Sequence, residues 1–135
     1  MEFRNIWKIK KGQNLEINKD KRGKIVDIFY KKNINHVAFL TSKQMTLRGN
    51  HYHKKSTQHI FITKGSLEYW YKKLNSNIIK KKIIKVGDII TTPPLEIHAL
   101  KILNQGCEFL AFSEGLRGGK DYEKDTFRVE NIIKL

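Results

Sequence analysis

At 135 residues with 39% hydrophobic content, the chain has enough material for one domain around a single core, and its one cysteine, Cys107, excludes a disulfide-stapled scaffold. The formal charge is +14, from 27 Lys and Arg against 13 Asp and Glu, but the lysines fall in small groups beside turns and strand ends (Lys8 to Lys11, Lys31-Lys32, Lys54-Lys55, Lys72-Lys73, Lys80 to Lys82). That spacing argues for a solvated surface and a phosphate-bearing small molecule as anionic partner, and against a nucleic-acid groove. The segment Met1 to Lys11 is too charged for a signal peptide, and the apolar runs are too short to span a membrane, so a cytoplasmic protein with no membrane partner is expected.

In chain order the pattern predicts short strands. Ile6 to Ile9 is followed by the break Gly12-Gln13-Asn14, and Leu15 to Ile17 by the turn Asp20-Lys21-Arg22-Gly23. Lys24 to Tyr30, Asn35 to Thr41 and Thr46 to His53 read as further strands. Ile60 to Lys64 and Leu67 to Tyr71 read as a hairpin closed by Gly65, where a tight turn with positive φ would reverse the chain. Asn75-Ser76-Asn77 precedes a strand at Ile78 to Val86, and Gly87-Asp88 one at Ile89 to Thr92. Pro93-Pro94 leads into Ile97 to Leu103, which Asn104-Gln105-Gly106 separates from Cys107 to Phe112. From Ser113 a charged, glycine-containing loop is expected up to Asp125, then a last strand from Thr126 to Ile133. No segment before residue 113 sustains a 3.6-residue apolar period, so the fold class is all-β, a sandwich or barrel in a single domain over residues 1–135.

One stretch carries chemistry. In Arg48-Gly49-Asn50-His51-Tyr52-His53, strand alternation puts His51 and His53 on one face, and Gln58 can return to that face after a bend. Two imidazoles and an amide would then converge.

His51-x-His53, four residues, Gln58, six residues, Gly65 resembles the first cupin motif, with Gln58 where many cupins carry Glu. Gly87, five residues, Pro93, then Pro94 and His98 resembles the second, with Leu95 where a glycine is usual. Asp20-x-Arg22-Gly23-x-Ile25 and Arg48-Gly49-x-His51-x-His53-Lys54 narrow the similarity to the nucleotide-sugar branch, and within it to the dTDP-4-keto-6-deoxyhexose 3,4-ketoisomerases. These also carry Gln at the position of Gln58. The resemblance runs over about residues 15 to 110. It implies a double-stranded β-helix (cupin jelly roll), a homodimer, a nucleotide-sugar substrate inside the barrel, and two histidines that move protons with no cofactor. It also implies an active-site tyrosine in the strand before Arg48, where Val37-Ala38-Phe39-Leu40 has none.

The chemistry can be set out from the residues. Moving a carbonyl between adjacent sugar carbons requires removing a C–H proton beside it, forming an enediol, and returning a proton to the neighbouring carbon, work suited to an imidazole. In the catalytic set His53 is the candidate base, His51 the second proton carrier or oxyanion donor, and Arg48 the cation for the enolate or diphosphate. Gln58 would orient an imidazole, and Arg48, Gln58 and His98 would bind substrate. The same atoms admit a rival reading, in which His51, His53 and His98, with Gln58 as a weak fourth ligand, hold Zn, Fe, Mn or Ni. Two other function classes therefore stay open: a metal-dependent cupin enzyme acting on another small molecule, and a non-catalytic sugar-binding cupin. His36 and His59 are expected to be surface or packed histidines, Tyr69, Trp70 and Tyr71 to pack a barrel or interface, and Cys107 to be a small buried hydrophobe.

Overall fold

The computed structural model describes residues 1–115 and 119–134. Its strands are β1 (Glu2–Asn5), β2 (Ile17–Asp20), β3 (Gly23–Val26), β4 (His36–Ser42), β5 (Leu47–Tyr52), β6 (Thr57–Lys73), β7 (Lys80–Lys85), β8 (Asp88–Thr92), β9 (Glu96–Glu114) and β10 (Phe127–Arg128), with a 3₁₀ helix at Gly119–Asp125. The all-β expectation holds. Several boundaries move. The first strand lies ahead of Ile6 because Glu2 to Asn5 pair with Thr91 to Asp88 of β8, and the expected last strand shrinks to two residues pairing with Tyr52 and His51 of β5. Residues 116–118 of the expected glycine-containing loop lie outside the described residues.

The largest correction concerns Gly65 and Asn104-Gln105-Gly106. Neither reverses the chain. Residues 57–73 form one long strand and residues 96–114 another, and the two pair antiparallel from Thr57↔Glu114 to Lys73↔Glu96, with register irregularities around Lys64 to Leu67. Gly65 (φ 76°) and Gly106 (φ 72°) lie where both strands bend. A Cβ on Gly65 would collide with the Gly106 carbonyl oxygen. The glycine pair thus lets two strands cross closely while they turn the corner of a folded sheet, a role β-bulges and glycines serve at barrel corners.

Folding at that corner brings the two halves of the sheet face to face. Ile60 and Ile62 from one half of β6 meet Leu67 and Tyr69 from the other, together with Ile84, Ile90, Leu100, Ile102, Cys107, Phe109 and Ala111. This interior is the core of the jelly roll. The alternation of β4 fixes its facing, since Val37 and Phe39 are exposed while Leu40 packs against the core. A second apolar cluster covers the outside of the sheet, where Ile132 and Ile133 pack on Trp70, Ile97 and Ala99. β7 pairs with β6 and carries Lys80, Lys81, Lys82 and Lys85, charges that oppose strand addition at an edge. Among the described residues no helix is long and apolar enough to cross a membrane.

Candidate active site

β5 does not run straight into the histidine motif. Gly49 (φ 86°) and Asn50 (φ 58°) both occupy the left-handed region, and the register with β9 shifts between Gly49↔Ala99 and His51↔His98. The shift is a bulge that sets His51 opposite His98. A side chain at Gly49 would stand 2.9 Å from the His98 carbonyl oxygen, so this approach of β5 to β9 needs glycine. Asn50 is pinned in turn, its side-chain and main-chain carbonyls accepting from the backbone N–H groups of Ile132 and Val129.

The three motif histidines converge. Ring centroids lie 4.9 Å apart for His51 and His53, 4.6 Å for His51 and His98, and 5.5 Å for His53 and His98. His53 and His98 are buried, and His51 is half-buried. Two of the rings are fixed by backbone carbonyls. His53 Nδ1 donates to the Asp125 carbonyl at 2.7 Å, and His98 Nδ1 to the Glu96 carbonyl at 3.1 Å. A carbonyl only accepts, so Nδ1 carries the hydrogen, and in the neutral ring Nε2 carries the lone pair. Both rings are therefore set as Nε2 bases or Nε2 ligands.

Asp125 holds this end of the site together. Its carboxylate accepts from the backbone N–H groups of Lys54 (2.8 Å), Lys55 (3.1 Å) and Ser56 (2.9 Å), and from the Ser56 hydroxyl (2.8 Å). Burial alone would raise its pKa. The hydrogen bonds from Ser56, Lys54 and Lys55 outweigh burial and hold it below the ordinary aspartate value. The loop after His53 is thus wrapped around one carboxylate, which no motif in the sequence marks.

Two tyrosines adjoin the histidines. Tyr71 lies opposite His98 in register, and the Tyr69 ring stacks on His98 with centroids 6.2 Å apart. The Tyr69 hydroxyl reaches Thr92 Oγ1 at 2.5 Å and donates to Glu96 Oε1 at 3.2 Å. Burial, then the Glu96 charge, pushes the Tyr69 phenol well above its usual range, so it stays protonated. The sequence assigned both tyrosines to packing. Tyr69 does pack, but it also bridges His98 of one half-sheet to Thr92 of the other.

The remaining predicted residues fall in several places. By strand alternation Gln58 faces inward with Ile60 and Ile62, across the mouth from the histidines, and pairs with Thr92 and Ser113. Arg48 turns away. Its Nε donates to Ser42 Oγ (2.6 Å) and its Nη2 to the Thr41 carbonyl (2.9 Å), and with Lys43, Lys64 and Glu108 it lines an open groove of about 560 Å³. His59 is a packed histidine, as expected, between Thr91 Oγ1 at 2.7 Å and Glu114 Oε2 at 2.8 Å. His36 is half-buried, with its Nδ1 in the interior.

One ring nitrogen from each of His51, His53 and His98 lies within 4.8 Å of the other two. Around a tetrahedral ion bound at roughly 2.0–2.1 Å the nitrogens would stand about 3.4 Å apart, so a modest inward rotation would suit a metal. The carbonyl-anchored Nδ1–H groups are the outer-shell arrangement that metal-bound histidines use. Donor set and tautomers fit a transition ion.

The sequence gives no significant match among curated proteins. Among solved structures the chain is similar to a histidine-to-asparagine mutant of the 3,4-ketoisomerase QdtA from Thermoanaerobacterium thermosaccharolyticum in complex with TDP-4-keto-6-deoxyglucose, with TM-score 0.69 and 21% identity over 85% of this chain and 83% of that one. It is also similar to a 3,4-ketoisomerase from Helicobacter canadensis, with TM-score 0.71 and 16% identity over 96% and 92% of the two chains. The capsular polysaccharide assembling protein CapF from Staphylococcus aureus matches with TM-score 0.66 and 18% identity over 87% of this chain but 33% of its own length. At these identities the likeness is one of fold, and it bears out the cupin jelly roll. The model of the polysaccharide biosynthesis C-terminal domain matches residues 18–113, most of the chain, and the protein belongs to that family.

Proposed function

We propose that this protein isomerises a nucleotide-linked 4-keto-6-deoxy sugar, moving the carbonyl from C4 to C3 by histidine proton transfer. The observation that carries the reading is the convergence of three imidazoles at the mouth of a fold shared with 3,4-ketoisomerases, two of them with Nε2 set as the basic nitrogen. His53 Nε2 takes the C3 proton and the electrons of that bond form the C3=C4 enediol as O4 gains a proton. The O3 hydroxyl then gives up its proton, the C3 carbonyl forms, and C4 is reprotonated, with His51 as the second carrier. Gln58 faces the sugar from the opposite wall. Arg48, anchored on β4, supplies positive charge at the nearby groove and has no part in proton transfer in this scheme.

The test is deuterium incorporation. Incubating TDP-4-keto-6-deoxyglucose with the protein in D₂O and following C3 and C4 by NMR is expected to show solvent deuterium and a 3-keto product. A protein that binds the sugar nucleotide but never exchanges a proton would be a sugar-binding cupin, and the isomerase reading would fall.

The histidine cluster favours a second reading, a metal-dependent enzyme in which His51, His53 and His98 hold a Zn, Fe, Mn or Ni ion. Lewis-acid polarisation of a substrate carbonyl is the chemistry such an ion supplies. Elemental analysis of tag-free protein separates the two. About one transition ion per chain, removable by chelator with loss of activity, would make the trio ligands. Less than about a tenth of an ion per chain in active protein would leave the rings for acid–base work.

A further inference from the structure

Opposite the histidines the interior carries a second polar row. His36 on β4 pairs with Ser113 on β9, Ser113 with Gln58 on β6, and Gln58 with Thr92 on β8. Alternation turns all four inward. Leu40 on β4, Ile60 on β6, Phe109 and Ala111 on β9, and Ile90 on β8 share their faces and belong to the core or pack on it. Thr92 is occupied by Tyr69. Two others have polar atoms with nothing to bond. Ser113 is fully buried and its Oγ makes no hydrogen bond among the described residues, and neither does the buried Nδ1 of His36. The backbone of Ser113 is satisfied, its carbonyl accepting from Asn35 N–H at 3.0 Å, so only the hydroxyl is spare.

Leaving two buried polar atoms of adjacent strands unpaired is costly unless a ligand completes them. The next inward pair is Ala38↔Ala111, two small side chains beside the polar row. We propose that His36 and Ser113 form the hexose-recognition wall of the barrel mouth, hydrogen-bonding the sugar's hydroxyl and carbonyl oxygens from the side opposite His51, His53 and His98. The inference rests on the sugar-nucleotide reading above and adds to it the residues that hold the sugar. His36 acts here through its hydrogen bond and not through its charge.

Calorimetric titration of TDP and of TDP-4-keto-6-deoxyglucose into wild type, His36→Leu, His36→Gln and Ser113→Ala is the test. The wall meets only the sugar. His36→Leu and Ser113→Ala are therefore expected to weaken the sugar nucleotide about tenfold while leaving TDP within about twofold, and His36→Gln, which keeps a hydrogen-bonding group, to stay within about threefold for both. Ser113→Ala removes a single oxygen and decides the matter should His36→Leu disturb the barrel. Variants that bind the sugar nucleotide as wild type does, in a protein that itself binds it more tightly than TDP, overturn the wall alone. A wild type that gains nothing from the sugar overturns the sugar-nucleotide reading, and the wall with it.

Discussion

His53 donates its Nδ1 proton to the backbone carbonyl of Asp125, 72 residues further along the chain, at 2.7 Å. The same Asp125 binds three consecutive backbone N–H groups, those of Lys54, Lys55 and Ser56, through its carboxylate. One residue thus sets both the tautomer of the candidate base and the path of the loop behind it. Asp125→Ala would leave those donors unpaired in a buried place and should lower stability by about 2–4 kcal/mol. It should also cut isomerisation more than it cuts TDP binding. Urea unfolding and paired kinetics check this.

The sign of the pH dependence follows from the same contacts. Asp125 is held below the ordinary aspartate value near 4 in the folded protein. Its contribution to stability is therefore complete above that value and is lost as pH falls through the lower folded pKa. Unfolding midpoints of the wild type should drop as pH is lowered below about 4. Asp125→Asn, already neutral, should lose less stability over that window, and equal slopes for the two proteins would exclude the clamp as their cause.

His53→Asn should reduce turnover by about a thousandfold, since a titrating base is replaced by an amide. His53 is 2% exposed, so the change is made in a packed place. Asparagine can still donate to the Asp125 carbonyl, so a melting temperature within about 5 °C of wild type is expected. Near-full turnover would move the base elsewhere in the trio.

How far the sequence reached can be read from these residues. His51, His53 and His98 were legible because strand alternation and the two motif spacings are local rules, and the bulge at Gly49-Asn50 preserves what they require. Gly65 was misread as a turn and Gly106 as a break between strands. A glycine at positive φ looks alike in sequence whether it reverses a chain or bends two crossing strands, and only the pairing of β6 with β9 along their whole lengths tells the two apart. Asp125 and Ser113 gave no signal, because their partners lie about 55 to 80 residues away, and no periodicity links such positions. Arg48 was placed by type, as a cation beside two histidines. Its guanidinium instead satisfies Ser42 and the Thr41 carbonyl.

Cys107 should be inert. Desolvation, then the Glu108 charge, raises its thiol to about 11, and the residue is 3% exposed. At pH 8 the thiolate fraction is then roughly two orders of magnitude below that of a free cysteine, and alkylation by iodoacetamide should be slower by at least that factor until the protein unfolds. Rapid labelling of native protein would mean that the corner formed by Gly65, Gly106 and Cys107 opens on its own.

That corner also supplies the sharpest stability contrast. Gly12 and Gly65 both take positive φ, at 89° and 76°, but a Cβ on Gly12 meets nothing within 4 Å. On Gly65 it would collide with the Gly106 carbonyl oxygen and lie 3.1 Å from the Cys107 Cα. Both neighbours are backbone of the paired strand and cannot swing aside. Gly12→Ala carries only the left-handed strain, about 1 kcal/mol. Gly65→Ala must in addition part β6 from β9 at the bend that brings the two polar walls face to face, and should cost at least about 3 kcal/mol or leave the protein insoluble. If the two variants melted within a degree or two of each other, the bend would be compliant. The mouth would then be held by the Tyr69 bridge to Thr92 and Glu96, not by the glycine corner.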